Sequence, residues 1–169
     1  MTYFEVTSSE ETKALAACLA TIIQPGMVIA LHGPLGSGKT TFTQGFGKAL
    51  GIKRAIKSPT YTIVKEYPIN KDRMNLIHID AYRLEDGGSD SIDLPSYLRE
   101  DNILLIEWPQ YVADYFPVDY LNLTFKPMDD ASHRLIEVDF HEQEKDTYLE
   151  LVKEWKTNWE RIKSNDSRA

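Results

Sequence analysis

Apolar and polar positions along the chain change period several times, and each change marks an element. Over "SSEETKALAACLATII" the apolar residues Leu15, Leu19, Ile22 and Ile23 recur at helical spacing, and Ser8 with Glu11 three positions on fits a capping box. The spacing predicts a first helix. "MVIALH" is a short apolar run that reads as a strand. A glycine-rich loop follows, and then a helix that runs to about Leu50, where Gly51 stops it. Beyond the turn "KSPT", whose Pro59 disfavours helix at Ser58, "YTIVKEY" is β-branched and aromatic and predicts a strand bounded by Pro68.

"NLIHID" and "ILLIEW" are nearly all apolar before an acid, the pattern of strands buried on both faces inside a parallel sheet covered by helices. The segment between them, "EDGGSDSIDLPSYLRED", reads as irregular and acidic at first, then as a short helix. "YLNLTF" and "HRLIEVDF" alternate apolar with polar residues around the turn-rich "KPMDDAS", which predicts an antiparallel hairpin at the sheet edge. At the C-terminus a helix is expected over about 143–163. It carries Tyr148, Leu151, Val152, Trp155, Trp159 and Ile162 on one stripe, for packing onto the body or, alternatively, for meeting a partner. Residues 164–169 read as a frayed end. The expected class is α/β: a single P-loop NTPase-like domain over 1–169, with a mostly parallel sheet flanked by helices and an antiparallel edge hairpin.

Composition narrows the setting. The chain has 169 residues, 42% hydrophobic and 27% charged, an ordinary balance for one soluble domain with its own core. No run approaches the roughly 18 apolar residues of a membrane span, and "MTYFEVTSSEE" lacks the basic and apolar regions of a secretory signal, so a cytoplasmic location is expected. The one cysteine, Cys18 in "ALAACLA", reads as part of a buried helix face. A formal net charge of −7 argues against broad unaided binding to nucleic acid; if RNA is involved, another protein holds it.

The chemistry starts at "HGPLGSGKTT". Gly33 to Thr40 fits G-x-x-x-x-G-K-[ST], between a strand and a helix, where backbone N–H groups and a helix N-terminus can cradle phosphate. The candidate nucleotide-binding residues here are Gly33, Gly36, Ser37, Gly38, Lys39, Thr40 and Thr41. Lys39 is expected to reach the β- and γ-phosphates, and the Thr40 hydroxyl to ligate Mg²⁺. A magnesium site also needs an acid at the end of a neighbouring strand, and two are offered: Asp80 closing "NLIHID" and Glu107 closing "ILLIEW". Either could hold the metal directly or through water, with the other orienting the attacking water or reading the metal's state.

The nearest string to a guanine-reading N-K-x-D is "NKDR", which has its acid one position early, so ATP is expected rather than GTP. No arginine-rich lid of the kind small-molecule kinases close over their phosphates is visible. Only Arg83, three residues past Asp80, is placed to deliver charge to the γ-phosphate, a contribution worth about 10³ to 10⁵ in turnover. Slow hydrolysis in isolation is expected, with the nucleotide state serving as a switch.

The ordered set "GPLGSGKTTF", "KSPTYTIVKEY", "HIDAYRL" and "IEWP" closely resembles the bacterial TsaE family, also called YjeE. The resemblance implies a small P-loop ATPase with ATP and Mg²⁺ as its ligands. It further implies TsaB and TsaD as protein partners in forming threonylcarbamoyladenosine at position 37 of ANN-decoding tRNAs, with tRNA met only through the complex. By resemblance Lys39 and the loop hold the phosphates, Thr40 and Glu107 hold the metal, and Asp80 is the second catalytic acid. Ser58 to Thr60 resembles a switch-like segment, Trp108 follows the metal acid, and Ser9 and Arg134 align with the family's base contacts. Pro34, Ser37 and the stretch from Asp86 to Leu98 depart from the family pattern. The alternative readings are a P-loop phosphotransferase acting on a small molecule and a nucleotide-binding interaction module without turnover.

Overall fold

The computed structural model describes residues 1–54, 56, 64–69, 74–84, 92–130 and 132–168, with backbone alone for Arg83 and 166–168. In chain order the elements are β1 (Thr2–Val6), α1 (Ser9–Ala20), β2 (Val28–His32), α2 (Lys39–Ala49), β3 (Val64–Ile69), β4 (Met74–Asp80), α3 (Leu94–Tyr97), β5 (Asn102–Glu107), β6 (Tyr120–Pro127), β7 (Arg134–His141) and α4 (Thr147–Arg168). Among the described residues, the 3-10 segments Tyr82–Leu84 and Pro109–Tyr115 follow β4 and β5.

The seven strands form one sheet in the order β1-β7-β6-β2-β5-β4-β3. The four central strands, β6, β2, β5 and β4, run parallel to one another. Antiparallel partners flank them, β7 and β1 on one side and β3 on the other. Every residue of β5 is buried, as expected for a strand covered on both faces. One face packs Leu31, Leu105, Leu123 and Ile136 under α1, α2 and α4; the other packs Ile77, Ile79, Leu104 and Ile106 under α3 and the 3-10 segments.

α1 begins where its sequence placed it. Ser8 Oγ accepts from the Glu11 N–H at 3.1 Å, and the Glu11 carboxylate accepts in return from the Thr7 N–H at 2.8 Å. Gly51, at φ 90°, follows the end of α2. Among the described residues no helix is long and apolar enough to cross a membrane.

Four local features differ from the sequence expectation. "TYFEV" is a strand, with Phe4 and Val6 buried and β1 paired to β7, so the β6–β7 hairpin lies one strand in from the margin. Pro68 lies inside β3 rather than ending it; β3 is an edge strand, where a missing N–H breaks no ladder bond on the open side. α4 starts at Thr147 rather than 143, because the Glu142 carboxylate is used to accept from the N–H groups of Tyr148 (2.9 Å) and Leu149 (3.4 Å). It continues to Arg168, through the stretch expected to fray, with no glycine or proline to end it. Its stripe packs onto the body as far as Trp159, and Ile162 is 36% exposed at the outer end.

Candidate functional site

β2 ends at His32 and hands the chain to a tight loop. A Cβ at Gly33 would sit 2.7 Å from Ser37 Oγ and 2.9 Å from the Phe125 carbonyl oxygen, so the loop can fold against β6 only with glycine here. Gly38, at φ 107°, takes a left-handed turn into α2 that a side chain would strain. The Ser37 N–H donates to the Pro34 carbonyl at 3.2 Å and closes the loop.

Lys39 opens α2 and is only 4% exposed. Its Nζ is buried, has no hydrogen-bond partner among the described residues, and lies 3.9 Å from the Trp108 ring centroid. Burial lowers the Lys39 pKa, while the nearby Glu107 and Asp80 carboxylates act to raise it. Asp80 and Glu107 are neighbours across the β4–β5 ladder, which brings two carboxylates to one edge. Burial raises the Asp80 pKa and repulsion from Glu107 adds to it, against a hydrogen bond from the Tyr82 N–H at 3.1 Å. Trp108, one residue past Glu107, has φ 56° and ψ 51°, a left-handed conformation that costs a bulky residue on the order of 1–3 kcal/mol. Its ring stacks on Tyr111 and tilts against Tyr82.

A cavity of about 400 Å³ is lined by Ser9, Gly36, Gly38, Lys39, Thr40, Thr41, Asp80, Glu107 and Arg134 of the anticipated residues. Gly33 and Ser37 lie behind this wall, Gly33 against Phe125 and Ser37 1% exposed with its hydroxyl unpartnered among the described residues. Arg134 Nε donates to the Ser37 carbonyl at 3.0 Å and Nη2 to the Gly36 carbonyl at 3.2 Å, so its guanidinium grips the loop from the β7 side. Ser58 to Thr60 and the side chain of Arg83 fall outside the described residues.

The wall also contains Ser8, Thr12, Leu35 and Ser132, which the sequence reading did not single out as site residues. It quoted His78 only within "NLIHID" and "HIDAYRL" and gave it no role; its Nε2 lies 2.6 Å from Glu107 Oε2 with both side chains buried. The available signal was a histidine inside the otherwise apolar "NLIHI", two positions before Asp80 and therefore on the same strand face.

The arrangement fits a magnesium-bound nucleoside triphosphate. A buried, unpartnered ammonium beside the loop is suited to phosphate oxygens, and a threonine hydroxyl with two carboxylates is a hard oxygen set. Among the described residues no group of three or more His, Cys, Asp or Glu could hold a metal ion.

Known proteins similar to this chain share one family name. The sequence pattern of the family described as threonylcarbamoyl adenosine biosynthesis protein TsaE matches residues 6–136. The tRNA threonylcarbamoyladenosine biosynthesis protein TsaE of Bacillus subtilis is 41% identical over 126 residues, covering 75% of this chain and 78% of that protein. The protein of the same name from a Nostoc species is 37% identical over 138 residues, covering 79% and 83%. Among solved structures, YdiB of Bacillus subtilis superposes with a TM-score of 0.75 at 33% identity, over 92% of this chain and 94% of that one.

Proposed function

The chain belongs to the TsaE family, and on that premise we propose that it binds ATP with Mg²⁺, hydrolyses it slowly, and acts with TsaB and TsaD in forming N6-threonylcarbamoyladenosine at position 37 of ANN-decoding tRNAs. The observation that carries the nucleotide part is Lys39: a buried, unpartnered ammonium beside a glycine loop at a helix N-terminus. No protein group among the described residues hydrogen-bonds it, and a β- or γ-phosphate oxygen is the ligand this position suits.

In this reading Lys39 and the loop N–H groups hold the phosphate chain, and Thr40 and Glu107 hold the metal. Bound Mg²⁺ would offset charge on the β- and γ-phosphate oxygens. Asp80, beside Glu107 and with its affinity for a proton raised, orients the attacking water and accepts its proton. The Arg134 guanidinium is engaged on the Gly36 and Ser37 carbonyls, which supports slow turnover in isolation. A partner that orders the site would then set the rate, and the nucleotide state would be the switch. The chain would not itself transfer the threonylcarbamoyl group.

The test is the steady-state ATP hydrolysis rate of the purified chain, alone and with TsaB and TsaD, with Lys39→Ala as the blank. A slow basal rate altered by the partners is expected. A fast rate indifferent to them would turn the reading to a phosphotransferase acting on a small molecule. Depletion in the cell should lower threonylcarbamoyladenosine in bulk tRNA, read by nucleoside mass spectrometry.

A further inference from the structure

We propose that His78 is a positioning residue that fixes the Glu107 carboxylate toward the metal; this rests on the reading of Glu107 as the metal acid. His78 and Asp80 share one face of β4, and Glu107 closes the adjacent strand β5, directly across from Asp80. The His78 Nε2–H donates to Glu107 Oε2 at 2.6 Å, with the two side chains 0% and 4% exposed. Among the described residues it is the only hydrogen-bond partner of that carboxylate.

Without this bond, Glu107 would be a buried carboxylate beside a second carboxylate, and repulsion from Asp80 would favour rotamers that separate the two. The imidazole removes that freedom. It occupies one oxygen and sets the plane of the other, so the ligand is oriented before the metal arrives.

The histidine has no evident structural reason to be there. It is wholly buried in an apolar strand, and its Nδ1 has no hydrogen-bond partner among the described residues. Leucine would fill the same place and leave no ring nitrogen unsatisfied. What histidine supplies and leucine cannot is the donor to Glu107.

The experiment is calorimetric titration of the full chain with ATP, once in Mg²⁺ and once in EDTA, which separates the metal's contribution from the phosphate loop's. In His78→Leu the Mg²⁺-dependent gain in affinity should fall by about tenfold to a hundredfold, while affinity in EDTA stays within about twofold. His78→Gln, whose amide nitrogen can donate from near the imidazole Nε2 position, should keep most of the gain, and His78→Asn, which is too short, should lose it. An unchanged Mg²⁺ gain in His78→Leu would overturn the proposal, as would equal losses in Mg²⁺ and EDTA, the signature of a merely structural role. If His78→Leu does not fold, the Gln and Asn variants decide: the same behaviour in both overturns it. Glu107→Ala separates the two levels. If Glu107→Ala keeps the full gain, the metal role of Glu107 fails and this inference with it. If Glu107→Ala loses the gain while His78→Leu keeps it, the inference alone fails.

Discussion

Two tryptophans of the chain occupy opposite kinds of surroundings. Trp155, on α4, is 0% exposed; its ring packs 4.5 Å from Phe4 and edge-on to Phe42, and its Nε1–H donates to the Leu15 carbonyl at 3.1 Å. Trp108 is held in a left-handed backbone conformation, half-buried, with the Lys39 ammonium, which has no hydrogen-bond partner among the described residues, over its ring. The contrast extends to their neighbourhoods. Among the described residues, the buried side-chain polar atoms without partners are Ser37 Oγ, Lys39 Nζ and His78 Nδ1, on the phosphate loop or against Glu107. One region closes the fold, and the other leaves buried polar groups unsatisfied among the described residues, as the proposed nucleotide site would require.

The largest expected effect belongs to the closed region. Trp155→Ala should lose about 3–5 kcal/mol of stability, measured by urea denaturation, because it opens a large cavity and removes the indole hydrogen bond to the Leu15 carbonyl. A loss under about 1 kcal/mol would mean that α4 is not integral to the core. Next comes Lys39→Met, expected to weaken ATP binding roughly a hundredfold, the scale of charge-assisted hydrogen bonds worth about 3 kcal/mol. The same variant should melt higher than wild type without nucleotide. Burial lowers the Lys39 pKa from its ordinary 10.5, so the charged form is disfavoured in the fold. The stability linked to Lys39 is therefore full above 10.5 and lost as pH falls through the lowered value, leaving a buried charge at neutral pH that methionine removes. An unliganded Lys39→Met protein that melts lower would break the comparison, since the lysine would then belong to the structural region.

The two regions were also unequally legible in the sequence. Glycine spacing, the lysine with the threonines after it, and strand-end acids located half of the cavity wall, because phosphate chemistry demands those types in a short order. Ser132 and Leu35 were not legible, since nothing in a serine or a loop leucine marks the wall it will join. His78 left a trace as a polar residue in an apolar run, but its partner is 29 positions away and is set by the parallel register of β4 and β5. β1 was missed because five alternating residues run straight into an acidic helix cap, and only pairing with the distant strand β7 makes them a strand. The helical stripe of α4 needed no such information, as its period lies within one segment. Signals carried by local spacing were readable, and those completed by distant pairing were not.

Asp80→Asn tests the open region from the acidic side and should slow hydrolysis about thirtyfold, with ATP affinity changed far less. It should also raise the unliganded melting temperature. Burial and repulsion from Glu107 raise the Asp80 pKa above the ordinary 3.8, so stability linked to this group is full below 3.8 and lost as pH rises through the raised value. The gain from Asp80→Asn should therefore be present at pH 8 and shrink toward pH 4. A variant that loses stability at pH 8 would place Asp80 among the groups that close the fold.

The smallest effect is the sharpest test of what Trp108 does. Its ring holds the Lys39 ammonium at 3.9 Å, and a phosphate must draw that ammonium off before it can bind. A partly buried cation–π contact of about 0.5–1 kcal/mol then competes with nucleotide, a factor of about two to five in affinity. Trp108→Leu should accordingly tighten ATP binding by that factor, measured calorimetrically, because leucine has no ring face to hold the charge. Trp108→Phe, which keeps a weaker face, should fall between. If Trp108→Leu instead weakens binding, the indole touches the nucleotide itself, and the strain of its left-handed backbone serves the bound state rather than the empty one.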